Sequence, residues 1–165
     1  MSIFYILAII VIAIFVIFFW QFWPTLIGGA GFTPTPVNKV QLALKLAEVD
    51  KNDIFYDLGC GFGDVIREAE KKAKRVIGIE IDPVRWLVAR LRARKSEVLL
   101  RDFFTIDLSD ANVIFIFQYN NVNEKLYEKF KKELKPGTRI ISYYWKINNV
   151  PIDKTKEDIY LYLIK

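Results

Sequence analysis

A chain of 165 residues, 53% hydrophobic and carrying a formal charge of +5, has room for one domain with a full core and apolar sequence to spare. It contains no His, which excludes histidine triads and histidine-ligated metals, and no metal site is expected. Its one cysteine, Cys60, excludes an intrachain disulfide and agrees with a reducing compartment.

The first element is apolar throughout. Ile3 to Trp20, IFYILAIIVIAIFVIFFW, holds no charged and no strongly polar residue. Carried on to Trp23 it gives about 20 residues, the length a helix needs to cross a hydrocarbon core of ~30 Å. Tyr5 at one end and Trp20 with Trp23 at the other resemble interfacial anchors, and Pro24 is expected to stop the helix. A cleaved signal peptide would need a basic leader and a shorter apolar run. The expectation is therefore a transmembrane anchor over residues 1–23, single-pass, held in membrane lipid. Every Lys and Arg lies at Lys39 or beyond, which places the rest of the chain on the cytoplasmic side.

Residues 24–37 read as a linker of glycine, proline and threonine, and 38–165 as the folded domain. NKVQLALKLAEV predicts a helix with Val40, Leu44 and Ala47 inward and Asn38 as cap. From there strands and helices alternate. DIFYDL, RVIGIEI, SEVLL, ANVIFIF, TRIISYYW and DIYLYLI read as strands. GDVIREAEKKA, PVRWLVARLRARK and NVNEKLYEKFKKEL read as helices, the last with Leu126, Phe130 and Leu134 inward and Glu128–Lys132 as a supporting pair. This order predicts an α/β, Rossmann-like, doubly wound and mainly parallel sheet. Ligands of such sheets sit beyond the carboxyl ends of the strands.

The chemistry-bearing residues follow strands. FYDLGCGFGD places Gly59, Gly61 and Gly63 in a turn, with Asp57 before it and Asp64 where a dinucleotide fingerprint has its third glycine. Glu80 and Asp102 follow the next two strands. Unpaired like charges within ~4 Å repel by several kcal/mol at a protein-surface dielectric, so a diphosphate fits poorly. A cationic ligand rich in hydroxyls fits better. In S-adenosylmethionine, the backbone of Gly59 and Gly61 would lie against the methionine portion and Asp57 would hold the ammonium. Glu80 would accept from both ribose hydroxyls and Asp102 from the adenine amino group, while Phe103 packs beside the ring.

YDLGCGFGD, VIGIEID and RDFF resemble the cofactor motifs of class I, seven-strand methyltransferases. GFTPTPVNKV and NNVNEKLYEKFKKELKPGTRIIS are similar to segments of archaeal broad-specificity protein lysine methyltransferases. They are similar, too, to the membrane-anchored mitochondrial relatives that methylate the ATP synthase c-subunit and the adenine nucleotide translocase. The resemblance runs from about residue 32 to 146 and implies transfer of methyl groups to lysine side chains of a protein. It departs at 147–158, where little room is left for the usual sixth-strand and seventh-strand hairpin, and at Tyr143-Tyr144-Trp145.

At the acceptor, a lysine must lose its proton, which costs roughly 4–5 kcal/mol from a pKa near 10.4 to neutral pH. Burial in an aromatic channel offsets part of this. Gln118, Tyr119, Asn120 and Asn121 follow the fourth strand, and Tyr119 and Asn120 are the candidate catalytic pair, a carboxamide there accepting from the incoming amine. Tyr143 and Trp145 wall a channel or simply fill a strand. Thr33 and Thr35 close over the cofactor or cap the first helix of the domain. The basic runs KKAKR and RLRARK suit anionic lipid, nucleic acid or plain water, most often the last, and nucleic acid is not the expected partner. Competing readings keep the cofactor with a lipid, small-molecule or RNA acceptor, make the chain a non-catalytic binding module, or make it a dinucleotide-dependent oxidoreductase.

Overall fold

The computed structural model describes residues 3–26 and 33–165 and, within the first helix, the side chains of residues 3–16 and 19. The chain divides into two units, Met1–Thr33 and Pro34–Lys165.

The first unit holds α1 (Ile3–Leu26), which continues past Pro24. A proline this close to a helix end removes one late hydrogen bond, and the backbone runs on for two more residues. The described side chains of α1 are exposed. Among the described residues no helix is long and apolar enough to cross a membrane, so the transmembrane helix expected at 1–23 is not supported by them. The side chains of Trp20 and Trp23, and residues 27–32 of the expected linker, lie outside the described residues.

The second unit is built on a seven-stranded sheet of order β3-β2-β1-β4-β5-β7-β6. Strands β1 (Ile54–Leu58), β2 (Arg75–Glu80), β3 (Glu97–Leu100), β4 (Val113–Ile116) and β5 (Arg139–Tyr143) are parallel. β7 (Ile159–Leu163) runs antiparallel to β5 and to β6 (Lys154–Lys156). Strand order reverses between β1 and β4, which opens a crevice at their carboxyl ends.

β4 is apolar at every position, and β1, β2 and β5 carry polar residues chiefly toward their ends, because both faces of the sheet are covered. Phe55, Val113, Phe115 and Ile141 pack with α2 (Val37–Leu46), α3 (Asp64–Ala69) and α4 (Pro83–Arg92) through Val40, Leu44, Ile66 and Ala89. Their alternates Leu58, Ile77, Ile114 and Ile116 pack with Leu126 and Phe130 of α5 (Asn120–Glu133). Burying each of those two α5 side chains is worth about 2–3 kcal/mol.

Four local expectations are corrected. α2 begins at Val37, and the carbonyl of Pro36 receives its first hydrogen bonds, from the amides of Lys39 and Val40, so Asn38 lies inside the first turn. α3 stops at Ala69 rather than running to Ala73. Glu128 pairs with Lys131, one residue short of Lys132, while Lys129 pairs with Glu133. Finally, the terminal hairpin exists. Its outer strand β6 is three exposed polar residues, which is how edge strands avoid pairing with other chains.

Candidate functional site

The crevice is assembled from strand ends. Leaving β1, the chain enters a turn in which Gly59, Gly61 and Gly63 have φ of 94°, 54° and 86°, a region side-chain-bearing residues avoid. The Gly59 and Cys60 amides donate to the Ile79 carbonyl at 2.8 and 2.9 Å, stitching the turn to β2. Gly63 serves α3 differently. A Cβ there would sit 3.2 Å from the Ala89 Cα, so this glycine sets how closely α3 meets α4.

Glu80, 5% exposed, turns its carboxylate under the turn. Oε2 accepts from the Gly61 amide at 2.8 Å, and Oε1 from the amides of Ile81 and Asp82 at 3.0 and 2.9 Å. Three of about four acceptor positions are thereby filled, so Glu80 has room for one ribose hydroxyl, and for both only if Gly61 lets go. Burial raises its pKa, while the backbone donors and then Arg85 pull it back.

Asp57 is 3% exposed, and its Oδ2 has no hydrogen-bond partner. Burial, then the charges of Glu80 and Asp64, push its pKa well above the usual carboxylate range. A buried acceptor without a donor is costly, and a cation arriving from outside would relieve it. Asp64 departs from expectation: it pairs with Arg92 at 2.6 Å, and Arg92 also donates to the Phe62 carbonyl at 2.8 Å. The repulsion felt by an anionic ligand therefore rests on Asp57 and Glu80.

At the next strand end the Arg101 amide donates to the Glu80 carbonyl at 3.0 Å, which sets Asp102 beside Glu80. Asp102 is exposed and caps a single 3-10 turn by accepting from the Phe104 amide at 2.9 Å. Phe103 packs against the core on the α5 side, and Phe104 beside it, ring centroids 4.9 Å apart, is the more exposed ring. Sequence reasoning passed over Phe104, although two consecutive aromatics on a tight turn cannot both face inward. Thr35 is buried ahead of α2, and Thr33 is exposed.

The residues expected to meet the acceptor follow β4 and β5, across the switch point. Gln118 is buried, donates to the Leu58 carbonyl at 3.0 Å and sits against Gly59, where a Cβ would come within 2.6 Å of its Nε2. It supports the glycine turn rather than the acceptor. Tyr119 precedes α5 and meets Trp145 edge-to-face at 5.5 Å, and Trp145 meets Tyr144 at 5.2 Å. Asn120 donates to Asn148 at 3.4 Å and keeps a buried Oδ1 without a partner, whereas Asn121 is exposed. Tyr143 is buried against Phe117 in the core, so of the two aromatics expected as channel walls only Trp145 is placed to act as one.

One further residue escaped the sequence reading. Asn123, fully buried, donates to Ser142 Oγ at 3.3 Å and to the Trp145 carbonyl at 3.2 Å. Ser142 donates to the same carbonyl. Together they hold the turn at Tyr144, whose φ is 66° and across which the Trp145 amide bonds the Tyr143 carbonyl at 2.8 Å. Such positive-φ turns are rare and strained. A polar residue one helical turn after Asn120, facing inward, is the signal that could have found it.

A mainly parallel sheet with this switch point, a glycine turn after its first strand and acids at the ends of its first three strands define a class I methyltransferase. The methyl donor of that class is S-adenosylmethionine, and the unpartnered Asp57 oxygen, the glycine backbone and the spare capacity of Glu80 fit it. The chain belongs to the ANTKMT methyltransferase domain family, whose model matches residues 57–154. It is 38% identical to a protein-lysine N-methyltransferase of Saccharolobus islandicus, covering 81% of this chain and 92% of that one. Identity is 25% to the human lysine N-methyltransferase of the ATP synthase c-subunit, over 67% of this chain and 50% of the human one. Among solved structures, an RNA methyltransferase of Salinibacter ruber in complex with S-adenosyl-L-homocysteine superposes with a TM-score of 0.77 and 33% identity, covering 80% of this chain and 94% of that one.

Proposed function

We propose that the protein is a protein-lysine N-methyltransferase. The observation that carries this is the unpartnered, buried carboxamide oxygen of Asn120 beside the Tyr119–Trp145 pair. That oxygen accepts a hydrogen bond from a neutral amine and turns its lone pair toward the donor. The aromatic rings keep water away, which lowers the amine's pKa. Bound S-adenosylmethionine supplies the activated methyl group, so the chain's own task is alignment and desolvation. Asp57 holds the donor's ammonium, Glu80 a ribose hydroxyl and Asp102 the adenine amino group. The archaeal lysine methyltransferase relative supports the same acceptor.

The test is methyl transfer from labelled cofactor to membrane and soluble protein fractions, with the modified residue mapped by mass spectrometry. Label on lysine that disappears in Asn120→Ala is the expected result. The Salinibacter relative favours one rival, an RNA acceptor. Label that survives protease and is lost to ribonuclease would establish that rival instead.

The same reading has the protein held in a membrane by residues 1–23, with the catalytic unit on the cytoplasmic side. Its support is the charge-free sequence from Met1 to Asn38 and the 24-residue extent of α1, about 36 Å at 1.5 Å per residue. Extraction of the full chain by alkaline carbonate, without detergent, would overturn it.

A further inference from the structure

Helix α4 is turned the wrong way round for a helix packed on a soluble domain. Arg85 is 3% exposed and faces the protein, where its charge helps keep Glu80 ionised. Ala89 lies one turn on, at the contact with Gly63. Fixing those two positions inward throws Val84, Leu87 and Leu91 outward, because they lie away from that side of a 3.6-residue repeat. They are 49, 50 and 64% exposed. Ile81 just before the helix and Leu100 on the sheet's edge strand β3 are exposed as well. Isolated exposed leucines need no explanation, but a row of them on one helix does.

The charges around the row indicate what covers it. From Pro83 to Ser96 there are four Arg and one Lys, and no Asp or Glu. Arg92 is occupied with Asp64, and Arg90 lies over the Trp86 ring at 5.5 Å. Arg94 and Lys95 follow the helix, Arg94 and Lys95 both exposed. The Glu70 carboxylate accepts from the Lys95 amide and the Ser96 hydroxyl, both at 2.8 Å. The helix itself carries cations and no acid beside its apolar row, the pattern of a helix lying in a lipid interface. A second copy of the chain is a poor occupant, since a two-fold contact would set these cations against themselves.

We propose that the outer face of α4 docks on an anionic phospholipid surface, with Leu87 and Leu91 entering the headgroup boundary and Arg90, Arg94 and Lys95 meeting phosphates. This is a second lipid contact, separate from α1 and independent of which acceptor is methylated.

The test uses the full chain in nanodiscs of phosphatidylcholine, with or without phosphatidylglycerol, carrying brominated acyl chains. A fluorophore on Leu87→Cys reports α4, one on Val11→Cys reports α1, and one on Lys132→Cys is the control. Cys60 is buried and does not compete for label. Quenching at residue 87 in anionic but not neutral discs is expected, lost in 0.5 M salt, where the Debye length is about 4 Å, and lost in Arg94→Gln/Lys95→Gln. No quenching at residue 87 in either disc overturns the proposal, and so does equal quenching in both. Protection of residue 87 that grows with protein concentration would point to self-association and overturn it too. The label at Val11 separates failure of the α1 anchor from failure of α4.

Discussion

The Gly61 amide donates to Glu80 Oε2 at 2.8 Å, joining the glycine turn after β1 to the carboxylate that ends β2. Because Glu80 also receives the Ile81 and Asp82 amides, it organises the pocket and the approach to α4 before any ligand arrives. Glu80→Gln replaces one acceptor oxygen by a donor that faces backbone N–H groups. Each buried N–H left unsatisfied costs about 1–3 kcal/mol, so Tm falls by roughly 2–10 °C and cofactor Kd rises at least about tenfold. Melting curves and calorimetric titration check both, and a variant with unchanged Tm and Kd would falsify the role.

Asp57 couples stability to pH. Its folded pKa lies above its unfolded value near 3.8, so the folded state holds the proton more tightly between the two values. Stability of the free protein therefore declines as pH rises from about 4 through the folded pKa, then levels off. A bound cation reverses the balance and expels that proton. Asp57→Asn is expected to raise Tm of the free protein at pH 8 by roughly 2–4 °C while weakening cofactor binding about a hundredfold. Titration calorimetry in two buffers of different ionisation enthalpy should show proton release for wild type near the folded pKa, and none for the variant.

Gly59 and Gly63 separate binding from folding. Gly63→Ala meets the Ala89 backbone at 3.2 Å from a φ of 86°, and loses about 2 kcal/mol or more of stability. Gly59→Ala carries the same backbone strain at a φ of 94°, but its clash is with the end of the Gln118 side chain. That end can give way at the cost of its bond to the Leu58 carbonyl, so the variant loses less stability than Gly63→Ala and loses cofactor affinity as well. Chemical denaturation beside cofactor titration distinguishes them, and a reversed order of stability would overturn the assignment.

Asn120 and Asn123 make different predictions although they lie one helical turn apart. Asn120→Ala is expected to lower kcat about a hundredfold with cofactor Kd within about twofold, since the proposed role sets it against the acceptor and not the donor. Asn123→Ala frees the Trp145 carbonyl and loosens the Tyr144 turn. It is expected to raise acceptor KM more than it lowers kcat, and to lower Tm. Steady-state kinetics on the mapped acceptor peptide decide between the two patterns.

The placing of the glycine turn and its acids was readable in the sequence because these residues occupy fixed places at strand ends. Asp57 and the glycines follow one another along the chain, and the bond from Gly61 to Glu80 joins the ends of two adjacent parallel strands, which the alternation of strands and helices already implies. Asp64 was misjudged because its partner Arg92 is brought in by helix packing, at a separation of 28 residues. Asn123 and its bond to Trp145 escaped for the same reason, the contact depending on how α5 meets the end of β5. The outward leucines of α4 were hidden by periodicity itself. Leucines at helical spacing read as a core face, and only the burial of Arg85 shows which way the helix is turned.

The reversal of strand order between β1 and β4 divides labour along the sheet. On the proposed reading the donor is held at the ends of β1, β2 and β3 and the acceptor at the ends of β4 and β5, with Gln118 after β4 bracing the glycine turn from across the switch point. An exchange of residues 119–123 and 143–148 should therefore redirect the methyl group to a new recipient and leave the grip on the donor as it was. Inheritance can tinker with one hand of such an enzyme while the other stays still.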